Sequence, residues 1–180
     1  SSQGLNENIK PNNSTGGYTF QGKVGWQIND QMTLKAGGLG SEETWREYNH
    51  AYLKNLAHTP RYLDRNVSYN TTFNHTLSQK TFYTVGLNYF ETLRKRGDGV
   101  AFDNLERYYI GRNPTFDPDI PLFFRGPSAT SNGHIFNNYL QRNASYYGIQ
   151  ANMSSQLNRY HQLKFGGDFQ RHTLRYLQHF

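Results

Sequence analysis

The chain of 180 residues contains no cysteine. Disulfides and cysteine-based metal sites are therefore excluded. It is poor in charge, with Asp, Glu, Lys and Arg together at 18%, and hydrophobic residues reach only 35%. An ordinary soluble domain carries more apolar residues. No run approaches the ~18 consecutive apolar residues of a membrane helix, an absence that says nothing against a membrane β-barrel. Ser1 opens no signal peptide, and no initiator Met is present. That reads as a mature, processed or excised piece.

What fills the space is Asn, Gln, Ser, Thr, Gly and many aromatics, with 14 Tyr and 12 Phe. Disordered chains are poor in aromatics, so this composition suits β-structure with one wet and one apolar face. The net charge of +6 is scattered, its densest run being Arg94-Lys95-Arg96. Nucleic-acid binding would call for a clustered basic stripe, so no nucleic-acid partner is expected.

Residues 1–17 read as a loop or terminus, rich in Asn, Ser and Gly. From Tyr18 a period of two begins. Tyr18, Phe20, Val24, Trp26 and Ile28 alternate with Thr19, Gln21, Lys23 and Gln27. The same pattern recurs around Val67, Tyr69, Phe73, Val85, Leu87 and Tyr89, and again around Tyr147, Ile149, Met153, Phe165 and Phe169. This alternation predicts three hairpins over about 18–40, 65–93 and 142–177. Short turns join the strands of each pair, whereas long loops of about 41–64 and 94–141 join the pairs.

Strand length separates two architectures. Soluble strands usually run ~5–6 residues. These run about twelve or more, and a tilted strand needs ~9–11 to cross a bilayer. The expected fold is thus all-β: a segment of an antiparallel transmembrane β-barrel, with about six long strands, short periplasmic turns and long extracellular loops. Six strands are too few to close a membrane barrel, which starts at ~8, so the segment is expected to belong to a larger protein. On the polar faces, Gln21, Lys23, Gln27, Lys35, Lys164, Asp168 and Gln170 are candidates to face the lumen. Among loop aromatics, Trp45, Tyr48, Tyr108, Tyr109, Phe123 and Phe124 are candidates for ligand contact, because exposed aromatics make strong anchors.

"HTLSQKTFYTVGLNYF" (from His75) and "HQLKFGGDFQRH" (from His161) resemble the barrel of TonB-dependent outer-membrane receptors of the Oar-like type, which carry a carboxypeptidase-regulatory-like N-terminal domain. His75, Leu77, Ser78, Thr81, Phe82 and Tyr83 match that family's His-x-Leu-Ser-Pro-x-Thr-Phe-Tyr hairpin, with Gln79 in the place of the usual Pro. "RKRGDGVAFDN" (from Arg94) resembles the start of one of its extracellular loops. The resemblance implies a bacterial outer-membrane receptor that takes up a scarce ligand through a plugged barrel, and no enzyme. It implies as partners outer-membrane lipid, a plug domain and the rest of the barrel. A periplasmic energy-coupling protein would act through the parent chain, with surface lipoproteins or other membrane-complex subunits alongside. The energy-coupling box and the plug themselves are missing from these residues. Alternatives from other classes are a secreted or surface β-sandwich that binds glycan or protein, and a passive porin.

Catalytic motifs are absent: there is no HExxH, GxSxG or P-loop spacing. No cofactor is expected. Asp98, Asp103, Glu106, Asp117 and Asp119 give the 94–141 loop oxygen donors that could serve calcium, without the EF-hand spacing. Arg96-Gly97-Asp98 matches an adhesion tripeptide, a match too short to carry information.

Overall fold

The computed structural model describes residues 12–49, 52, 56–108, 136 and 138–179. These form six strands: β1 (Ser14–Asn29), β2 (Met32–Arg46), β3 (Arg61–Ser78), β4 (Thr81–Gly97), β5 (Tyr139–Gln156) and β6 (Gln162–His179). No proline falls inside any of them, so every backbone N–H is free to join a ladder. They make one antiparallel sheet in the order β1-β2-β3-β4-β5-β6. Each strand pairs with its chain neighbour along nearly its whole length.

Polar side chains fix the turns. The Asn29 side chain accepts from the Gln31 N–H at 2.9 Å, and Ser78 Oγ accepts from the Lys80 N–H at 3.2 Å. In the third turn Asn158 Oδ1 accepts from the N–H groups of both Tyr160 and His161 at 2.9 Å. These are the local bonds that make Asn and Ser turn residues. The register shifts beside two of the turns, between Gln27 and Asn29 and between Thr76 and Ser78. Elsewhere it is continuous, so the period of two keeps one set of side chains on each face across the sheet.

The strands run further than the alternation predicts. β1 starts at Ser14, inside the stretch expected as a terminus, and β2 and β3 extend through Arg46 and from Arg61. The link between the first two hairpins is thus 47–60 and not 41–64, and β4 runs to Gly97. Strand ends beyond the apolar stretch carry polar residues on both faces. Ladder hydrogen bonds hold them there with no help from alternation.

The sheet is a single open layer. Among the described residues β1 and β6 have one strand partner each, and the sheet does not close on itself. The buried apolar side chains among them are Tyr108 and Tyr139, both near the loops. Phe20, Val24, Trp26, Ile149, Phe165 and Phe169 stand exposed on the sheet. Burying such side chains stabilises by about 1.5–3 kcal/mol each, so a lone layer leaves most of its hydrophobic driving force unused.

Candidate functional site

The register sorts the side chains into rows. One row runs Trp26, Leu34, Phe73, Val85, Ala151, Gly167 across the six strands, and the next runs Val24, Ala36, Thr71, Leu87, Ile149, Phe169. Towards the turns lies Met32, His75, Tyr83, Met153, Phe165, and towards the loops Gly38, Tyr69, Tyr89, Tyr147. No Asp, Glu, Lys or Arg occurs on this face from Tyr18 to Ile28 on β1, or from Thr81 to Tyr89 on β4. At ~3.4 Å per residue these stretches measure roughly 27–34 Å along the strands.

Aromatic rings mark both borders of this apolar band. On the loop side Tyr69, Tyr89 and Tyr147 form a row, with ring centroids 6.3 Å and 5.0 Å apart. On the turn side Tyr83 meets His75 at 5.2 Å and Phe73 at 6.1 Å. A groove of about 440 Å³ lies in the band, floored by Thr71, Leu87 and Ile149 and walled by the tyrosine row and Phe169. Charge returns just past the tyrosines. Arg65 Nε donates to Glu42 Oε2 at 2.8 Å. Glu91 accepts from the Tyr89 hydroxyl at 2.5 Å and from the Asn143 amide at 2.7 Å.

The opposite face is polar. It carries Gln21, Lys23, Gln27, Lys35, Lys164, Asp168 and Gln170, the seven lumen candidates, all on one side of the sheet. The first four lie on β1 and β2 and the last three on β6, so they share a face without forming a cluster. The middle of that face is amide and hydroxyl, with Thr84 donating to Asn74 at 2.8 Å. Higher up, Arg94 pairs with Asp64, and Phe90, Tyr146 and His172 form a row of tilted rings with centroids 5.8 Å and 5.3 Å apart.

Above the sheet the loops are tied together at Asp98, which has no exposed surface. Its carboxylate faces His58 Nδ1 at 2.8 and 2.9 Å and accepts from the N–H groups of Val100 (2.9 Å) and Ala101 (2.8 Å). Its own N–H donates to the Tyr108 hydroxyl at 2.7 Å, which in turn donates to the Phe102 carbonyl at 2.7 Å. Gly99 fits because it has no side chain: a Cβ there would lie 2.1 Å from the Ala57 carbonyl oxygen. Arg46 from the end of β2 donates to the Gly99 carbonyl at 2.7 Å. Burial pushes the Tyr108 hydroxyl up to about 12. Burial, and then the negative charge of Asp98, also raises that of Tyr52.

The loop aromatics expected to make ligand contacts are placed unevenly. Trp45 is not in a loop: it lies on β2 and stacks on Tyr62 with centroids 5.0 Å apart and planes 5° from parallel. Tyr108 is buried in the Asp98 junction, where it serves loop structure. Tyr48 is half-buried in the 47–60 link. Tyr109, Phe123 and Phe124 lie outside the described residues, as do Asp117 and Asp119. No group of three or more His, Asp or Glu side chains is gathered as a metal site among the described residues. Both oxygens of Asp98 are engaged by protein groups, and Asp103 accepts from Lys95 Nζ and from the Tyr139 hydroxyl, each at 2.8 Å. The Asp98–His58 junction was missed by sequence reasoning. Its one signal was Asp98 between two glycines.

Compared with known proteins, the chain matches no family model and no curated protein sequence.

Proposed function

We propose that this chain is part of the wall of a TonB-dependent outer-membrane receptor, with the apolar face turned to lipid and the polar face to a plugged interior. The observation that carries the reading is the apolar band. It is continuous over six strands, has aromatic borders, and meets an ion pair and a carboxylate just past the tyrosines on the loop side. Strands tilted by ~40° would give it a height of roughly 20–26 Å, close to the ~25 Å apolar band of outer-membrane barrels. The sequence resemblance at His75–Phe90 and His161–His172 supports the receptor class.

In this reading the loops capture a scarce ligand. The amide- and hydroxyl-rich face meets the plug and the passing ligand, and a periplasmic coupling protein supplies energy through the parent chain. The chain performs no chemistry of its own. Hydroxyl and amide groups suit a polar interior because they exchange hydrogen bonds readily with water or a moving solute.

Since the chain has no cysteine, single cysteines can be introduced one at a time and spin-labelled. Labels at Leu87, Ile149 and Phe169 in the full parent chain, folded into bilayers, are expected to collide with lipid-dissolved oxygen. Labels at Asn88, Gln150 and Asp168 are expected to be shielded from it. Shielding of the first set from both oxygen and a water-soluble nickel chelate would mean a second protein layer covers that face. The β-sandwich would then replace the barrel. Ligand uptake that persists after the proton-motive force is dissipated would favour the passive porin.

A further inference from the structure

We infer that the polar face carries a site for a short peptide with free termini, about four residues long, laid across strands β2 to β5. The inference rests on the receptor reading above and names the class of ligand that this face takes.

The site follows from neighbouring rows of the register. The loop-side row runs Glu43, Asp64, Arg94, Arg142 over β2 to β5. The row below it runs Ser41, Asn66, Thr92, Ala144. Phe90 and Tyr146 stand in the third, with ring centroids 5.8 Å apart. The side chains of the middle row are short, so the charged row and the rings wall a trench that crosses the strands. Its β2 end opens into a cavity of about 440 Å³, bounded on this face by Gly17, Thr19, Ser41, Glu43, Asp64 and Asn66. That size lies within the ~300–1,000 Å³ of small-ligand sites.

The order of charges along the upper wall sets the ligand. Glu43 stands opposite Asp64, and Arg94 stands opposite Arg142. Like charges directly opposed destabilise an antiparallel pair. One row holds two such pairs of contrary sign. The inner members satisfy each other, since Arg94 Nε donates to Asp64 Oδ1 at 2.7 Å. The outer members, Glu43 and Arg142, are exposed and stand three strand spacings apart, about 14 Å. β2 and β5 each have a paired strand on both sides, so the row does not depend on what adjoins β1 or β6.

A wall negative at one end and positive at the other favours a dipolar molecule over an ion of one sign. Four extended residues span about 14 Å from ammonium to carboxylate. Glu43 and the Ser41 hydroxyl receive the ammonium. Arg142 receives the carboxylate through its planar fork. The hydroxyls and amide of Ser41, Asn66 and Thr92 meet the peptide's own N–H and C=O groups, and Phe90 and Tyr146 cover its apolar side chains.

The test uses the full parent chain, folded into phosphatidylcholine vesicles, with Asn70→Cys carrying a bimane fluorophore. Asn70 lies on the same face below the ring row, outside the trench. The probes are tetra-alanine with free termini, its N-acetylated form and its C-amidated form. The free peptide is expected to bind about tenfold tighter than either capped form, as expected for the loss of one charge-assisted hydrogen bond. Arg142→Gln should abolish the preference over the amide and keep the preference over the acetylated form. Glu43→Gln should do the reverse, so each variant carries its own control for folding at the untouched pole. No binding of the free peptide, equal affinity for all three forms, or preferences unchanged in both variants would overturn the site. Quenching of the same label by brominated acyl chains would put this face against lipid and overturn the receptor reading with it; without that quenching the site alone falls.

Discussion

His58 and Asp98 lie forty residues apart in the chain and meet ring nitrogen to carboxylate, with the carboxylate fully enclosed. This contact joins the segment entering β3 to the segment leaving β4. The Arg46 bond to the Gly99 carbonyl adds the end of β2. Three strand ends are thereby locked above the sheet around a carboxylate that no solvent reaches. The Arg-Gly-Asp tripeptide of the sequence is therefore an internal fastening, its aspartate turned away from any external partner.

Replacing Asp98 by Ala should loosen this junction. It leaves the N–H groups of Val100 and Ala101 without their acceptor and removes the partner of His58. Each buried donor left unsatisfied costs about 1–3 kcal/mol, so the two together set a local loss of about 2–6 kcal/mol. Hydrogen exchange is expected to quicken across 56–60 and 98–108 while the strands keep their protection. Unchanged exchange in both segments would show that the carboxylate does not hold the loops.

Gly99→Ala should open the same junction by a different route. The added methyl would meet the backbone oxygens of Ala57 at 2.1 Å and Thr59 at 2.7 Å, and backbone cannot swing aside as a side-chain tip can. Gly22→Ala is the control, since nothing lies within 4 Å of its Cβ position. Limited proteolysis should cut the Gly99 variant faster in the 98–108 segment. Equal cleavage of the two variants would contradict the close approach.

Tyr108 makes the junction sensitive to alkali. Its hydroxyl is raised to about 12 in the folded state by burial, against 10.0 for an exposed tyrosine. A raised folded value means the folded form holds the proton more tightly. The stability it contributes is fully present below pH 10 and is lost as pH climbs through about 12. A two-unit shift corresponds to about 3 kcal/mol. The phenolate also loses the proton it donates to the Phe102 carbonyl. Proteolysis of 98–108 should therefore accelerate between pH 10 and 12, and Tyr108→Phe should flatten that dependence. A Phe variant with the same alkaline profile would assign the effect to another group.

How far these features can be read from the sequence depends on where they sit. The middle of each strand is legible, because Tyr83, Val85, Leu87 and Tyr89 alternate with Thr84, Gly86 and Asn88 on a sheet whose two faces differ. The ends are not. Glu42, Glu43, Thr44 and Trp45 carry no alternation, so the pattern of β2 stops at Gly40 although its ladder runs to Arg46. On β6 the pattern inverts beyond Phe169, with Arg171 and Arg175 on the apolar side and Leu174 and Tyr176 on the polar side. The junction is invisible for another reason: His58 and Asp98 become neighbours only once β3 and β4 have paired. Trp45 reads as a loop aromatic because the alternation of β2 fades after Gly40 although the strand continues, and Tyr108 does so because composition cannot distinguish a loop that packs on itself from one that reaches outward.

The apolar band yields the sharpest energetic contrast between adjacent residues. Ile149 and Gln150 are consecutive on β5, and the pleat sends them to opposite faces. If lipid covers the first face, Ile149→Arg moves a guanidinium into hydrocarbon. In outer-membrane barrels that costs about 2–4 kcal/mol near the midplane. Gln150→Arg places the same charge on the polar face, one strand from Asp168, and should cost less than about 1 kcal/mol, as for an exposed ion pair. Equilibrium unfolding of the full chain from phosphatidylcholine vesicles reads both. A penalty for Ile149→Arg at least about 2 kcal/mol above that for Gln150→Arg is expected from the depth dependence of charge in the bilayer. Equal penalties would mean that the two faces meet the same medium, and the band would then have no lipid to face.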